Sequence, residues 1–182
     1  MFSQQTVLSF LALTGLASAT ALMPRACGET AAKVCFGRDG GQPQNILLDD
    51  LQYVADYLRY TGESAEPGPS ARWTMPSGLD CAEWTVEIPG AGTVLLLAKH
   101  INPRITSSVL YADMANTIDG GVDATEEAKK ASLMGCGTGG GMLGVKTDAK
   151  NPAYNTDEYK ATKAKPEGII LKVVKAAAAA AA

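Results

Sequence analysis

Ala82-Glu83-Trp84-Thr85-Val86-Glu87-Ile88, then Pro89-Gly90-Ala91-Gly92, then Thr93-Val94-Leu95-Leu96-Leu97-Ala98-Lys99-His100-Ile101: this stretch decides the fold. In its first part Ala82, Trp84, Val86 and Ile88 alternate with Glu83, Thr85 and Glu87, which gives one apolar and one polar face. Pro89 to Gly92 has turn chemistry. Thr93 to Ile101 is apolar on both faces, as expected of a strand with neighbours on either side. A four-residue turn predicts that Ile88 pairs with Thr93, Val86 with Leu95 and Trp84 with Leu97. Asn102-Pro103 ends the strand.

Working outward from this hairpin, Leu47, Leu51, Val54, Ala55 and Leu58 recur at three- and four-residue spacing and predict a helix. Asp49 and Asp50 stand in its first turn, where the helix dipole favours carboxylates. Gly62 is the expected stop, and residues 63–71, with Pro67-Gly68-Pro69, read as a loop. Further upstream, Ala31 to Phe36 is a candidate strand ended by Gly37-Arg38-Asp39-Gly40-Gly41, and residues 20–30 read as a mobile arm or a short pro-segment around Met23-Pro24-Arg25. Beyond the hairpin, Ser107 or Ser108 is placed to cap a second helix carrying Val109, Leu110, Met114 and Ile118, stopped by Gly120-Gly121. Asp123 to Lys130 reads as a short helical turn. Ala131 to Cys136 and Met142 to Lys146 read as a second hairpin through a glycine-rich turn. A long loop over 147–167 precedes a final strand, Gly168 to Val174. The expected class is α+β: a single-domain sandwich over residues 20–175, with one mostly antiparallel sheet and two helices packed on one face.

The chain has 182 residues. Its start holds an apolar run, Val7 to Leu16, followed by Ala17-Ser18-Ala19. That is the layout of a signal peptide over residues 1–19, although no Lys or Arg precedes the run. The run is too short for a membrane-spanning helix, so the processed chain is expected to be secreted, soluble and free of stable membrane insertion. At the other end, residues 176–182 are all alanine, too few for a helix on their own, and are expected to be disordered. A formal net charge of −3 argues against nucleic acid as a partner. Cys27, Cys35, Cys81 and Cys136 are an even set in an exported chain and read as two disulfides, with three pairings open. A bridge from the Cys27/Cys35 segment to Cys81 or Cys136 would close a loop of roughly 50 to 110 residues, worth about 4 to 5 kcal/mol on the chain-entropy model.

His100 is the only histidine. Three-histidine zinc sites and the two-histidine sites of zinc proteases are therefore ruled out. In the register above Glu83 and His100 share a face as diagonal neighbours, an arrangement suited to general acid–base work such as phosphodiester cleavage. The plainer reading is a strand-end histidine hydrogen-bonded to a carboxylate or to water. Gly135-Cys136-Gly137-Thr138-Gly139-Gly140 has the G-x-G-x-x-G spacing, but Met142-Leu143-Gly144-Val145 follows as a strand where a phosphate site needs a helix. It reads as a glycine-rich turn. Asp49, Asp50 and Asp56 lack the spacing of a calcium loop. No cofactor or metal is expected. Trp73, Trp84, Tyr53, Tyr57 and Tyr60 are the aromatic candidates for a surface. Tyr53, Tyr57 and Tyr60 fall on one flank of the first helix, and with Trp73 they form the expected binding set, since aromatics join apolar area to a polar handle.

Asp80-Cys81 ahead of a Trp-containing strand, a helix with Asp113 and Ile118, and Gly135-Cys136 closing the cysteine set resemble a family of small secreted fungal effectors. These are the necrosis-inducing extracellular effectors first seen in a leaf-mould fungus, with a killer-toxin-like α/β sandwich as a relative. The resemblance spans residues 27–146, while 147–175 and the alanine tail extend beyond it. It implies an apoplastic protein that acts on a plant host by binding. The first functional class is accordingly a secreted virulence factor, expected to be a monomer, that binds an extracellular host protein, for example by inhibiting a host protease. It carries across no catalytic residue. Two other classes remain open: a secreted hydrolase or ribonuclease using Glu83 and His100, and an antimicrobial, toxin-like wall-surface protein that binds sugar or membrane through the aromatic flank.

Overall fold

The computed structural model describes residues 27–65, 69–78 and 81–177. The expected leader and residues 178–182 of the alanine tail lie outside them. In chain order the elements are β1 (Val34–Cys35), α1 (Leu48–Ser64), β2 (Arg72–Met75), β3 (Glu83–Thr85), β4 (Val94–His100), β5 (Ser107–Leu110), α2 (Tyr111–Asp119), α3 (Glu126–Ala131), β6 (Gly141–Gly144), α4 (Asp157–Ala161) and β7 (Ile169–Lys175). Five strands form one antiparallel sheet in the order β1-β6-β7-β4-β3, and β2 pairs with β5 in a separate antiparallel ribbon. The architecture is the α+β class read from the sequence, with α1 and α2 packed together over one face of the sheet.

The sequence periodicity explains the core. Leu51, Val54, Ala55 and Leu58 of α1 meet Met114, Ala115 and Ile118 of α2 and the inward side chains Val94, Leu96 and Ala98 of β4, with Leu171 and Val173 of β7 beside them. α1 has no side-chain cap of its own. Its first free amide is satisfied from outside, because Leu47 N–H donates to Thr93 Oγ1 at 2.8 Å. Asp50 in the first turn accepts from the Thr93 amide at 2.7 Å and from its hydroxyl at 2.6 Å. These bonds hold the Asp50 carboxyl below its ordinary pKa. Gly92 makes this approach possible: its φ is +57°, and a Cβ there would stand 2.5 Å from the Asp50 carboxylate.

The same contact corrects the expected hairpin register. Glu83 pairs with Lys99, Trp84 with Ala98 and Thr85 with Leu97, a slip of one residue from the four-residue-turn prediction. Thr93 is held by the N-terminus of α1, so it cannot also pair with Ile88, and Ala91 folds into the core instead. In a structure of period two, one residue of slip changes every cross-strand partner.

Other boundaries move for equally local reasons. Residues 107–110 form β5 rather than the first turn of a helix, since Ser108 bonds Thr74 across the ribbon at 2.8 Å. α2 therefore starts at Tyr111 and stops, as read, at Gly120, whose φ of 95° suits a left-handed cap. α1 continues through Gly62 to Ser64. The second hairpin is absent: residues 126–131 are helix, 134–139 are 3-10 turn, and β6 pairs with β1 and β7. The long loop of 147–167 contains a 3-10 turn at Pro152–Tyr154 and α4. The disulfides are Cys27–Cys81 and Cys35–Cys136. They fit an oxidising compartment. No described helix is long and apolar enough to cross a membrane.

Candidate functional site

The slipped register separates Glu83 from His100. Glu83 stands on the outer face of the sheet with Lys99, its cross-strand partner, and forms an ion pair with Lys172 of β7. Glu29 completes this outer network by pairing with Lys172 and, at 3.0 Å, with Lys99. Burial pushes the Glu29 carboxyl up, but the two ammonium groups outweigh it and hold the carboxyl below its ordinary value. His100, the next residue along β4 from Lys99, points to the inner face and is only 3 % exposed. Its Nε2 lies 2.9 Å from the Pro76 carbonyl oxygen. The expected diagonal acid–base pair is therefore not assembled. Nor do the described residues bring together three or more His, Cys, Asp or Glu side chains as a metal site.

The glycine-rich segment 135–140 is a 3-10 turn rather than the bend of a hairpin, with Cys136 in its disulfide and Gly137 at a φ of 63°. A strand, β6, follows it, as the sequence indicated, and not a helix.

The aromatic candidates do converge. A groove of about 310 Å³ runs between α1 and the segment that continues β3, lined by Tyr57, Leu58, Thr61, Trp73, Tyr111 and residues 85–88. α1 contributes Tyr57, while β2, a strand not foreseen from the sequence, contributes Trp73. Trp84 stands against Trp73 edge to face, with ring centroids 6.5 Å apart. Trp84 is 42 % exposed, so a large apolar ring is kept at the mouth of the groove rather than in the core. Tyr53 joins the margin through its ring contact with Tyr57 at 6.2 Å, and its hydroxyl donates to the Pro89 carbonyl at 2.9 Å, bracing the turn. Tyr60 is exposed and is not part of the lining. Burial, with Tyr57 close by, raises the Tyr111 pKa, so this wall stays uncharged at physiological pH. Tyr111 was not foreseen because it sits at the strand-to-helix junction, where no periodicity marks it.

On the opposite face of β2 lies a second aromatic cluster of another kind. Tyr154 donates its hydroxyl to Asp113 at 2.5 Å and accepts from the Leu110 amide at 2.8 Å. Tyr159 donates to the Ser108 carbonyl at 2.8 Å, and the Arg72 guanidinium lies 5.1 Å from the centre of its ring. Burial raises the Tyr159 pKa to about 12. Burial also raises the Asp113 carboxyl above its ordinary value, although the Tyr154 hydroxyl opposes the shift. Every hydroxyl here has a partner within the protein, so the cluster is a latch for residues 152–161.

A cavity of about 390 Å³ at the far end of the sheet is larger than the groove, but its walls are glycine and aliphatic residues, with Asn102 and Glu167 at its polar side. The smaller groove has the aromatic faces that hot-spot contacts use. Comparison with protein-family models, with curated proteins and with solved structures finds no match for this chain.

Proposed function

We propose that the protein is a secreted, non-catalytic binding protein that acts outside the cell by docking onto an extracellular protein of a host, as a small fungal effector does. The observation that carries this reading is the open groove of Tyr57, Trp73, Tyr111 and Ile88 with Trp84 exposed at its mouth. Rigid aromatic rings of this kind offer large contact area at low conformational cost, and they dominate binding energy where they are desolvated. The leader-like start of the sequence supports export. The two disulfides support a working life in an oxidising medium. A protein stapled in this way presents a preformed surface, which lowers the ordering cost of association.

The test is capture from host extracellular fluid by the oxidised protein, with Trp73→Ala and Trp84→Ala run beside the wild type. One dominant protein retained by the wild type and lost from the variants is the expected result. Equal retention by all three, or degradation of RNA or glycan by the purified protein, would overturn the reading.

A further inference from the structure

The groove has a neighbour that narrows what can fill it: β3 is the last strand of its sheet, and no described strand pairs with its outer edge. The ladder to β4 extends to Val86, whose amide donates to the Leu96 carbonyl at 2.9 Å. In an antiparallel ladder the alternate residues turn their peptide groups the other way, so Thr85 directs its N–H and C=O to the open side. Residues 85–88 along this edge also form one wall of the aromatic groove. An unpaired strand edge beside an apolar groove suits the addition of an extended peptide, which gains main-chain hydrogen bonds at the edge and places alternate side chains in the groove.

Charge selects the partner. Glu83 and Glu87 flank Thr85 on the polar face, and among the described residues Glu87 forms no ion pair. No Lys or Arg lines the groove. We infer that the edge of β3 captures an extended segment of a partner protein in which basic residues alternate with apolar ones. A basic side chain meets Glu87, which has no ion-pair partner among the described residues, while Glu83 stays with Lys172, and the apolar side chains enter the groove beside Trp73 and Trp84. This rests on the groove being the contact surface, and adds to it the conformation and charge of what binds.

The test uses three blocked hexapeptides with the oxidised protein: alternating Lys and Val, alternating Glu and Val, and the Lys–Val peptide N-methylated on the amides that would face β3. Binding is followed by tryptophan fluorescence and by hydrogen exchange at the Thr85 amide. The Lys–Val peptide is expected to bind at least tenfold tighter than either of the others, to protect the Thr85 amide, and to lose at least tenfold in affinity to Glu87→Lys. Equal binding of the Lys–Val and Glu–Val peptides, undiminished binding of the N-methylated one, or an unchanged affinity in Glu87→Lys would overturn the inference. Binding of the Glu–Val peptide that is lost in Trp73→Ala would overturn it while leaving the groove as a contact surface. If none of the peptides binds, the inference falls, and the capture experiment decides the groove separately.

Discussion

The two faces of β2 carry the same kinds of side chain to opposite ends. Arg72 and Thr74 look toward Tyr154 and Tyr159, whose hydroxyls bond Asp113 and the Ser108 carbonyl inside the protein. Trp73 looks toward Tyr57, Tyr111 and the exposed Trp84, around open space. Aromatics whose polar handles are used up internally fasten the chain to itself. Aromatics left beside a groove have capacity to spare, and there a partner can bind. Residue type alone does not separate the two; satisfaction and exposure do.

The sharpest way to break the comparison is to remove the frame that both faces share. Cys27–Cys81 holds the approach to β3, and Cys35–Cys136 fixes β1 to the glycine-rich turn. Replacing either pair by Ala should lower stability in urea denaturation by about 4 to 5 kcal/mol on the chain-entropy model, somewhat more for the longer loop of Cys35–Cys136. Within the frame, Tyr154→Phe should cost about 2 kcal/mol, because it strands a buried amide and a buried carboxyl together. That variant should bind any groove partner as the wild type does. Trp84→Ala should do the reverse. Its unfolding midpoint should stay close to that of the wild type, while partner affinity falls by about 2 kcal/mol, roughly thirtyfold, in a calorimetric titration.

The smallest effect separates the faces by pH. Asp113 has a raised pKa, so the native state holds this proton more tightly than the unfolded chain does. Its contribution is fully present below the ordinary carboxylate pKa and is lost as pH rises through the raised value. Asp113→Asn keeps an acceptor for Tyr154 and has no proton to lose. Denaturation curves between about pH 4 and pH 7 should therefore show the wild type losing stability relative to Asp113→Asn as pH rises. A parallel course would show that the latch does not titrate. Groove variants should not alter this difference.

Much of the fold was legible because the signals were local and repeated. The spacing of Leu51, Val54, Ala55 and Leu58 marked α1, and the alternation around Trp84 marked β3. Legibility ended where a distant group intervened. Thr93 went to the N-terminus of α1 and shifted the hairpin by one residue. Ser108 went to Thr74 and turned an expected helix start into a strand. The aromatic residues could be nominated from sequence, but β2 falls just past the expected loop of 63–71, where the sequence reading assigned no element, so Trp73 could not be set against Trp84 in advance.

By itself the sequence determined the α+β class: two amphipathic helices and alternating strands, each written within a few residues, beside an even set of cysteines. The tertiary structure decided which cysteines join, that Glu83 and His100 stand on opposite faces, and which aromatics are spent on the fold. The physical reason is range. Periodicity is a property of neighbours along the chain, whereas a one-residue register and the satisfaction of a buried hydroxyl depend on groups that only folding brings near.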